Sequence, residues 1–309
     1  MRVLIVCSFN NNRVSAFIEE QVHSLNRIHI ETEYFLIKQK GIKGYISERR
    51  KLMRSIRQFK PDIIHAYYGL SGLLANLQRK IPVITTYLGS DINFNKVFVF
   101  SRLCQLLSEY NIFVSEFNRQ KSGCTKHTSV IPFGVETSQF LPIDKILARK
   151  TLGINEEAKI ALFAGSFNNP VKNPDLAKYA IEKLTDLVLM PMGGYPREIV
   201  PMLYNAADVC LMTSFTEGSP QFIKEAMACN CPIVSVPVGD VPEVISGIDG
   251  CFLSTYVADN ISEKLKSALA YGKRTTARQY IIEQGWDTTI VAGKIAVIYH
   301  EILQNKHSK

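Results

Sequence analysis

Residues 217–245 read EGSPQFIKEAMACNCPIVSVPVGDVPEVI, and this stretch decides the fold. A turn-forming Gly-Ser-Pro leads into a helical segment, and a short apolar run typical of a buried strand follows it. We predict that Ser219 caps this helix and that Pro220 is its first residue, because both residue types are preferred there. A loop, a helix and a buried strand in this order are the repeating unit of an α/β protein.

The same alternation extends over the rest of the chain. Apolar runs such as RVLIVCSF, DIIHAYY, KIALFAGSF and DVCLMTSF alternate with helical runs. A polar segment near residues 136–150 separates two halves, and 309 residues are many for one hydrophobic core. We therefore predict an α/β fold of two doubly wound Rossmann-like domains. The first covers residues 1–135, with a terminal helix at about 288–309 that packs back on it, and the second covers residues 136–287.

The composition narrows the class of protein. No apolar run approaches the roughly 20 residues that span a bilayer, and MRVLIVCSF is interpreted as a first strand, not a signal peptide. The seven cysteines are scattered and form no C-x-x-C pair. This pattern favours free thiols in a reducing cytoplasm, and the sequence predicts no metal site.

The positive charge is concentrated near the amino terminus. The net charge is +8, and residues 1–60 hold 12 Lys/Arg and 5 Asp/Glu, a net of +7. Within SERRKLMRSIRQFK, residues 47–60, Leu52, Ile56 and Phe59 form one apolar stripe of a predicted helix. Its basic face is either a solvated surface or one that attracts anionic lipid headgroups or an anionic acceptor. A nucleic-acid partner is disfavoured, because no reader motif accompanies the charge.

Two carboxylates lie on either side of the predicted helix start. Glu217 lies in the loop, and Glu225 lies on the order of 8–9 Å down the helix axis. The helix N-terminus between them favours an anion. A nucleotide sugar matches this arrangement, with its diphosphate at the helix start and a hydroxyl-rich ring at each carboxylate. The alternative is that Glu217 caps the turn locally and Glu225 is solvated.

Residues 214–245 resemble the signature of glycosyltransferase family four. Glu-Gly, Pro, Glu-Ala-Met-Ala-Cys, an apolar strand, Gly and Pro-Glu occur in the family's order. SVIPFGVETSQF is similar to its linker, and PDIIHAYYGLSG and TYLGSD are similar to its amino-domain segments. The resemblance implies the GT-B fold, in which two domains face each other across a cleft. It also implies retaining transfer of a sugar from a nucleotide-diphosphate sugar, with no further cofactor, to a saccharide or lipid-linked acceptor in cell-surface polysaccharide or glycolipid synthesis.

The resemblance also implies roles for particular residues. Glu225 would hold the ribose hydroxyls, and Glu217 would bind the donor sugar near the reacting carbon. Lys172 would neutralise the leaving diphosphate in place of a metal ion. These residues leave the carboxyl ends of predicted parallel strands, where α/β proteins bind ligands. The further donor-binding candidates are Ser166, Asn168, Gly218, Ser219, Pro220 and Gln221.

The sequence departs from the family at two positions. Ser166 stands where the family usually has an Arg, so Asn168 would supply a neutral donor there. Leu88 stands where the family often has a His, which leaves His65 as the catalytic candidate of the amino-terminal domain, with a structural role as its alternative. The acceptor-side candidates are Asn12, Ser15 and Asp91.

Other functions remain open on the same fold. A catalytically weak nucleotide-sugar-binding protein is one, and a nucleotide-sugar epimerase or a phosphorylase is another. A dinucleotide-dependent oxidoreductase is excluded, because no G-x-G-x-x-G follows the first strand.

Overall fold

A computed structural model describes residues 1–9, 13–39 and 41–307. The chain forms two compact α/β units. The first combines residues 1–134 with the terminal segment that begins at Thr288, and the second spans Val135–Asp287. No helix among the described residues is long and apolar enough to cross a membrane.

The first unit holds a six-stranded sheet and the helices around it. Its strands are β1 (Arg2–Ser8), β2 (Glu31–Ile37), β3 (Ile63–Tyr67), β4 (Val83–Tyr87), β5 (Tyr110–Phe113) and β6 (Thr128–Val130). Its first seven helices are α1 (Ala16–Arg27), α2 (Gly41–Ser47), α3 (Arg49–Phe59), α4 (Gly69–Asn76), α5 (Ser90–Asn93), α6 (Asn95–Leu107) and α7 (Glu116–Ser122).

The second unit holds a five-stranded sheet. Its strands are β7 (Lys159–Phe163), β8 (Leu187–Pro191), β9 (Val209–Met212), β10 (Ile233–Ser235) and β11 (Cys251–Leu253). Its helices are α8 (Lys145–Leu152), α9 (Pro174–Ile181), α10 (Val200–Ala206), α11 (Gln221–Ala228), α12 (Val241–Ile245), α13 (Ala258–Tyr271) and α14 (Ala277–Glu283), with short 3₁₀ turns at Pro170–Lys172 and Arg197–Ile199. The last helix, α15 (Thr288–His307), belongs to the first unit.

Every strand pair in both sheets is parallel. The orders are β2-β1-β3-β4-β5-β6 and β11-β10-β9-β7-β8. Read from β2 in the first sheet and from β8 in the second, both contain the doubly wound strand order 2-1-3-4-5. In this order the chain adds its second strand on one side of the first strand and all later strands on the other side. The switch point therefore lies between β1 and β3 in the first unit and between β7 and β9 in the second. The carboxyl ends of all strands in one sheet lie at one edge, as predicted for the loops after β7, β9 and β10.

Side-chain alternation along β1 builds two layers of core. Val3 and Ile5 pack in the cluster that includes residues of α1 and α15, while Leu4 and Val6 pack in the cluster that includes residues of α3 and α4. A strand buried on both faces needs apolar residues at successive positions, and β1 supplies them from Val3 to Cys7. The parallel sheet is thereby covered on both faces, which fixes the edge where the loops emerge.

Several predicted boundaries differ from the structure. Helix α11 begins at Gln221, one residue later than predicted, because Pro220 has an extended backbone with ψ of 121° and serves as the N-cap. The predicted basic helix over residues 47–60 corresponds to α3, which begins at Arg49, directly after the buried Glu48. The predicted helix start at Asn173-Pro174 is confirmed.

Candidate active site

Lys172 and Glu217 form an ion pair at the carboxyl edge of the second sheet. The Lys172 ammonium lies 2.6 Å from Glu217 Oε1, and the side chains are 22% and 17% exposed. Lys172 follows β7 and Glu217 follows β9, so the pair spans the switch point of this sheet. The structure thus brings two of the predicted site residues together.

The loops that carry Lys172 and Glu217 are joined by a side-chain hydroxyl that hydrogen-bonds to the backbone. The Thr213 hydroxyl, just after β9, lies 2.9 Å from the carbonyl oxygens of both Lys172 and Asn173. Gly165 has a φ of +134°, and a Cβ there would lie 3.2 Å from Cγ of Lys172. The glycine therefore provides the backbone conformation and the space that let the lysine side chain pack across the end of β7.

A second glycine fixes the other side of the loop. Gly239, after β10, has a φ of +58°, and a Cβ there would lie 2.8 Å from the carbonyl oxygen of Gly218 and 3.2 Å from that of Glu217. Only a residue without a side chain allows this close approach at a positive φ. The loop after β10 thus supports the backbone that presents Glu217.

Glu225 is buried in α11, and protein groups hold both of its oxygens. Oε1 accepts a hydrogen bond from Arg197 Nη2 at 2.6 Å, and Oε2 accepts one from the Tyr204 hydroxyl at 2.9 Å. Burial first, and then the Glu225 carboxylate, raises the pKa of Tyr204 well above its ordinary value. The side chain is therefore not solvated, and a ribose diol would have to take the place of a protein donor.

Sequence reasoning missed Arg197. It follows the carboxyl end of β8, in MPMGGYPR, and brings a guanidinium to the edge where Ser166 replaces the family's usual arginine. A basic residue soon after a strand of the same sheet was the available signal. The residues of β8 lack a continuous buried apolar run, so the local sequence does not mark this loop as one at the carboxyl edge.

Lys224 and Asp240 are two buried charges next to the site that the sequence analysis also missed. Burial lowers the pKa of Lys224 to about 8, and the Asp240 charge opposes this shift. Burial raises the pKa of Asp240 to about 6, and the Lys224 charge opposes it. Each charge thus stabilises the ionised form of the other beneath the loop after β9. A lysine within the apolar run of α11 was the available signal.

The other donor-binding candidates surround the same edge. Ser166 follows Gly165 and is half-buried, and its hydroxyl accepts a hydrogen bond from the backbone N–H of Asn168 at 3.2 Å. The side chain of Asn168 is exposed. The remaining candidates form the approach to α11 and its first residue: Gly218, Ser219, Pro220 and Gln221.

His65 lies inside the first unit, not at an edge. It is fully buried in β3, with Nδ1 2.5 Å from the Tyr299 hydroxyl of α15 and Nε2 2.7 Å from the Thr86 hydroxyl of β4. Its ring stacks on Tyr67 at 4.4 Å, and burial lowers its pKa to about 3. Both ring nitrogens are engaged by the protein, which favours the structural role for a neutral His65.

Asp91 is likewise buried and engaged by backbone groups. Its carboxylate accepts hydrogen bonds from the N–H groups of Gly69, Leu88 and Gly89 at 2.9, 2.9 and 3.0 Å. Burial raises its pKa to about 6, against the effect of these bonds. It joins the loops after β3 and β4. Of the other acceptor-side candidates, Ser15 is exposed just before α1, and Asn12 lies outside the described residues.

Within residues 1–9, 13–39 and 41–307, no group of three or more His, Cys, Asp or Glu side chains is arranged to hold a metal ion. The cations at the carboxyl edge of the second sheet come from the side chains of Lys172 and Arg197.

Two family models match the chain. Residues 1–119 match the model described as "Glycosyl transferase 4-like", and residues 163–271 match that described as "Glycosyl transferases group 1". A D-inositol 3-phosphate glycosyltransferase from Mycobacterium sp. (strain KMS) is 26% identical over 180 residues. That match covers 48% of this chain and 41% of the relative, so the chain spans less than half of the relative's length in the match.

Solved structures share the fold over nearly the whole chain. A sucrose-phosphate synthase from Thermosynechococcus elongatus has a TM-score of 0.83 at 15% identity and covers 98% of this chain and 99% of its own. Anabaena HepE, solved in complex with UDP-glucose, has a TM-score of 0.74 at 16% identity and covers 97% and 100%. At these identities the likeness shows the fold alone, and that fold is GT-B.

Proposed function

The chain belongs to the glycosyltransferases of the family-four type, and from this premise we propose that it transfers a sugar, with retention, from a nucleotide-diphosphate sugar to a saccharide or lipid-linked acceptor. The observation that carries the proposal is the Lys172–Glu217 pair at the switch point of the second sheet. Anabaena HepE, a structural neighbour, was solved with UDP-glucose. A donor of that chemical class suits a site with two ion pairs, Lys172–Glu217 and Arg197–Glu225, whose charged groups match a diphosphate and sugar hydroxyls.

Lys172 is the residue that meets the leaving diphosphate. As the bond between the sugar and the diphosphate breaks, negative charge grows on the phosphate oxygens. A fixed ammonium at that point stabilises the transition state more than the ground state. In the structure the Lys172 ammonium lies 2.6 Å from the Glu217 carboxylate. When the diphosphate binds Lys172 in place of Glu217, this carboxylate can accept hydrogen bonds from the sugar hydroxyls.

Glu225 and Arg197 define the nucleoside end of the proposed site. The Glu225 carboxylate is an acceptor suited to a pair of ribose hydroxyls, and Arg197 is a donor suited to a phosphate. Donor binding would exchange the Arg197–Glu225 bond for one bond from each residue to the ligand. The exchange keeps the buried Glu225 and the partly exposed Arg197 hydrogen-bonded, which limits its cost.

We propose that transfer needs no divalent metal ion. Lys172 and Arg197 bring two positive charges to the edge where the diphosphate would lie. The expected outcome is transfer that persists in EDTA. A complete loss of transfer in EDTA, restored by Mg²⁺ or Mn²⁺, would contradict this proposal.

The function is tested with a panel of UDP-, GDP- and ADP-linked hexoses, with UDP-glucose first. A donor at 100 times its dissociation constant adds about 2.7 kcal/mol to the stability of the folded protein, which a thermal-shift assay detects. The selected donor is then incubated with saccharide and lipid-linked acceptors, and products are identified by mass spectrometry. Binding without transfer or hydrolysis would favour the weak binding protein. A donor recovered with an inverted sugar hydroxyl would favour the epimerase.

The first unit has one surface suited to a membrane-borne acceptor. In α3 the side chains of Leu52, Ile56 and Phe59 are buried, and the basic residues are exposed: Arg49, Arg50, Lys51, Arg54, Arg57 and, at the helix end, Lys60. We propose that this basic face binds the anionic cytoplasmic face of a membrane peripherally. A lipid-linked acceptor would then be held near the enzyme by electrostatic attraction alone.

A further inference from the structure

An exposed aromatic pair lies in the loops after β9 and β11. The rings of Phe215 and Tyr256 are nearly parallel, at 8°, with centroids 6.4 Å apart. Phe215 is 63% exposed and Tyr256 is 41% exposed. The Tyr256 hydroxyl donates a hydrogen bond to the carbonyl oxygen of Ser214 at 2.9 Å, which fixes the orientation of its ring beside Phe215.

This pair adjoins the proposed site. The backbone N–H of Phe215 donates to the carbonyl oxygen of Val171 at 2.9 Å, and Val171 directly precedes Lys172. Burial and, after it, the negative charge of Glu217 raise the pKa of Tyr256, so Tyr256 is within electrostatic reach of that carboxylate. The aromatic rings and the ion pair thus belong to one stretch of the sheet edge.

The order of the strands places this pair opposite the nucleoside end. In the order β11-β10-β9-β7-β8, Arg197 leaves β8 at one end, and Lys172 and Glu217 leave the middle strands. Tyr256 follows β11, at the opposite end of the sheet from β8, and Phe215 lies beside Glu217 in the loop after β9. An extended donor with its ribose at Glu225 and its diphosphate at Lys172 therefore directs its sugar, and the acceptor that attacks it, toward the aromatic pair.

We propose that Phe215, oriented by Tyr256, is a sugar-binding surface against which the C–H face of a pyranose ring packs. This inference rests on the proposed function. A pyranose has hydroxyls around its rim and an apolar face of C–H groups, and an exposed aromatic ring offers a large rigid surface for that face. Carbohydrate is favoured as the occupant because the Glu217 carboxylate, an acceptor for ring hydroxyls, is two residues from Phe215 in the same loop. The ring can be that of the donor or that of the acceptor.

The test compares Phe215→Ala with Phe215→Trp in the whole protein. Tyr179→Ala is the matched control, because Tyr179 is a comparably exposed aromatic residue on α9. We expect Phe215→Ala to raise the KM for one sugar substrate about five- to tenfold with kcat retained, and Phe215→Trp to restore it. Tyr179→Ala should leave both constants unchanged.

Two measurements separate the sources of the sugar. If Phe215→Ala raises the KM for the donor in hydrolysis without acceptor, and the affinity for the free nucleoside diphosphate is unchanged, the surface binds the donor sugar. A higher KM for the acceptor alone would assign it to the acceptor. Unchanged KM values in an active Phe215→Ala enzyme, or an equal loss of affinity for the free nucleoside diphosphate, would overturn this inference alone. Absence of transfer by the unmodified enzyme with every donor and acceptor would overturn the proposed function and this inference with it.

Discussion

The two units share one sheet topology but use their polar residues differently. In the second unit, Lys172 and Glu217 lie at the switch point and remain partly exposed. In the first unit, His65 and Asp91 are completely buried, and neighbouring strands and loops take up their hydrogen bonds. The strand order therefore determines where a ligand can bind, and the exposure and hydrogen bonding of the side chains determine whether they can act on it.

The contrast follows from the cost of burial. A buried polar group must find partners within its own unit, and a ligand would have to break the bonds that the fully buried His65 and Asp91 already make. Glu225 of the second unit is also buried, but its partner Arg197 is partly exposed, and the proposed exchange with a ligand takes place there. The Lys172–Glu217 pair is partly exposed, at 22% and 17%, so a ligand can reach both charged groups and replace either partner. The polar residues His65 and Asp91 thus have structural roles in the first unit, and Lys172 and Glu217 remain accessible to a ligand in the second.

The largest expected effect is at the ion pair. Lys172→Met and Glu217→Gln should each lower kcat about a hundred- to a thousandfold. The first removes the cation that stabilises the leaving diphosphate, and the second removes the carboxylate charge that binds the sugar hydroxyls near the reacting carbon. Stability should change little, since the pair is partly exposed. Steady-state kinetics and thermal unfolding measure both quantities. Lys178→Met is the control, because Lys178 also forms an ion pair, with Asp175, but at an exposed position outside the proposed site. A threefold or smaller change at both positions would remove the ion pair from the mechanism.

The next effect is on donor affinity at Glu225. Glu225→Gln should weaken binding of the free nucleoside diphosphate about ten- to a hundredfold, or about 1.5–3 kcal/mol, because a charged acceptor is lost. Isothermal titration calorimetry measures this affinity, and kcat at saturating donor should stay close to that of the unmodified enzyme. A variant that binds normally and turns over slowly would reverse the roles assigned to the two carboxylates.

A smaller effect is the pH dependence that the buried His65 of the first unit gives to the stability of the folded protein. The folded-state pKa of His65 is about 3, and its ordinary value is 6.5. The unfolded chain therefore binds more protons between these values, and stability falls as the pH falls below 6.5. The loss attributable to His65 is about 2 kcal/mol at pH 5.

Urea unfolding at pH 7.5 and pH 5 checks this loss. The variant His65→Gln should lack this part of the pH dependence, while its folded fraction retains transfer activity. His300→Gln, at an exposed position of α15, should keep the pH dependence of the unmodified protein. A His65→Gln protein that is stable but inactive would instead place His65 in the reaction.

The sequence predicted the central strands and the site loops well, and it missed three strands at the sheet edges. β6, β8 and β11 are each the last strand of a sheet and are largely half-buried or exposed. Such strands have neither a continuous apolar run nor a clear alternation, so the pattern that reveals β1 or β9 is absent from them.

The contacts of the site residues were harder to predict than their identities. Lys172, Glu217 and Glu225 were identified from local patterns and the family signature. The burial of His65 depends on Tyr299, which lies 234 residues further along the chain. No local pattern reports whether a distant helix satisfies a ring nitrogen, and the same is true of Arg197 against Glu225. Long-range packing therefore decides between the structural and functional alternatives for a polar residue.

The smallest expected effect is at the surface of the first unit, where its charge is exposed. One basic residue near an anionic leaflet is worth about 1 kcal/mol, so Arg54→Gln should weaken partition onto anionic vesicles about fivefold. Screening limits this attraction to about 8 Å at physiological salt, so the difference should disappear as salt rises. Co-sedimentation with neutral and anionic vesicles at low and high salt measures it, and Lys266→Gln, at an exposed position of the second unit, is the control. Transfer to a water-soluble acceptor should be unchanged in both variants, because α3 lies in the other unit from the Lys172–Glu217 pair. Equal recovery of the unmodified protein with neutral and anionic vesicles would show that the basic residues of α3 form only a solvated surface. Any contribution of the first unit to acceptor choice would then come from its loops.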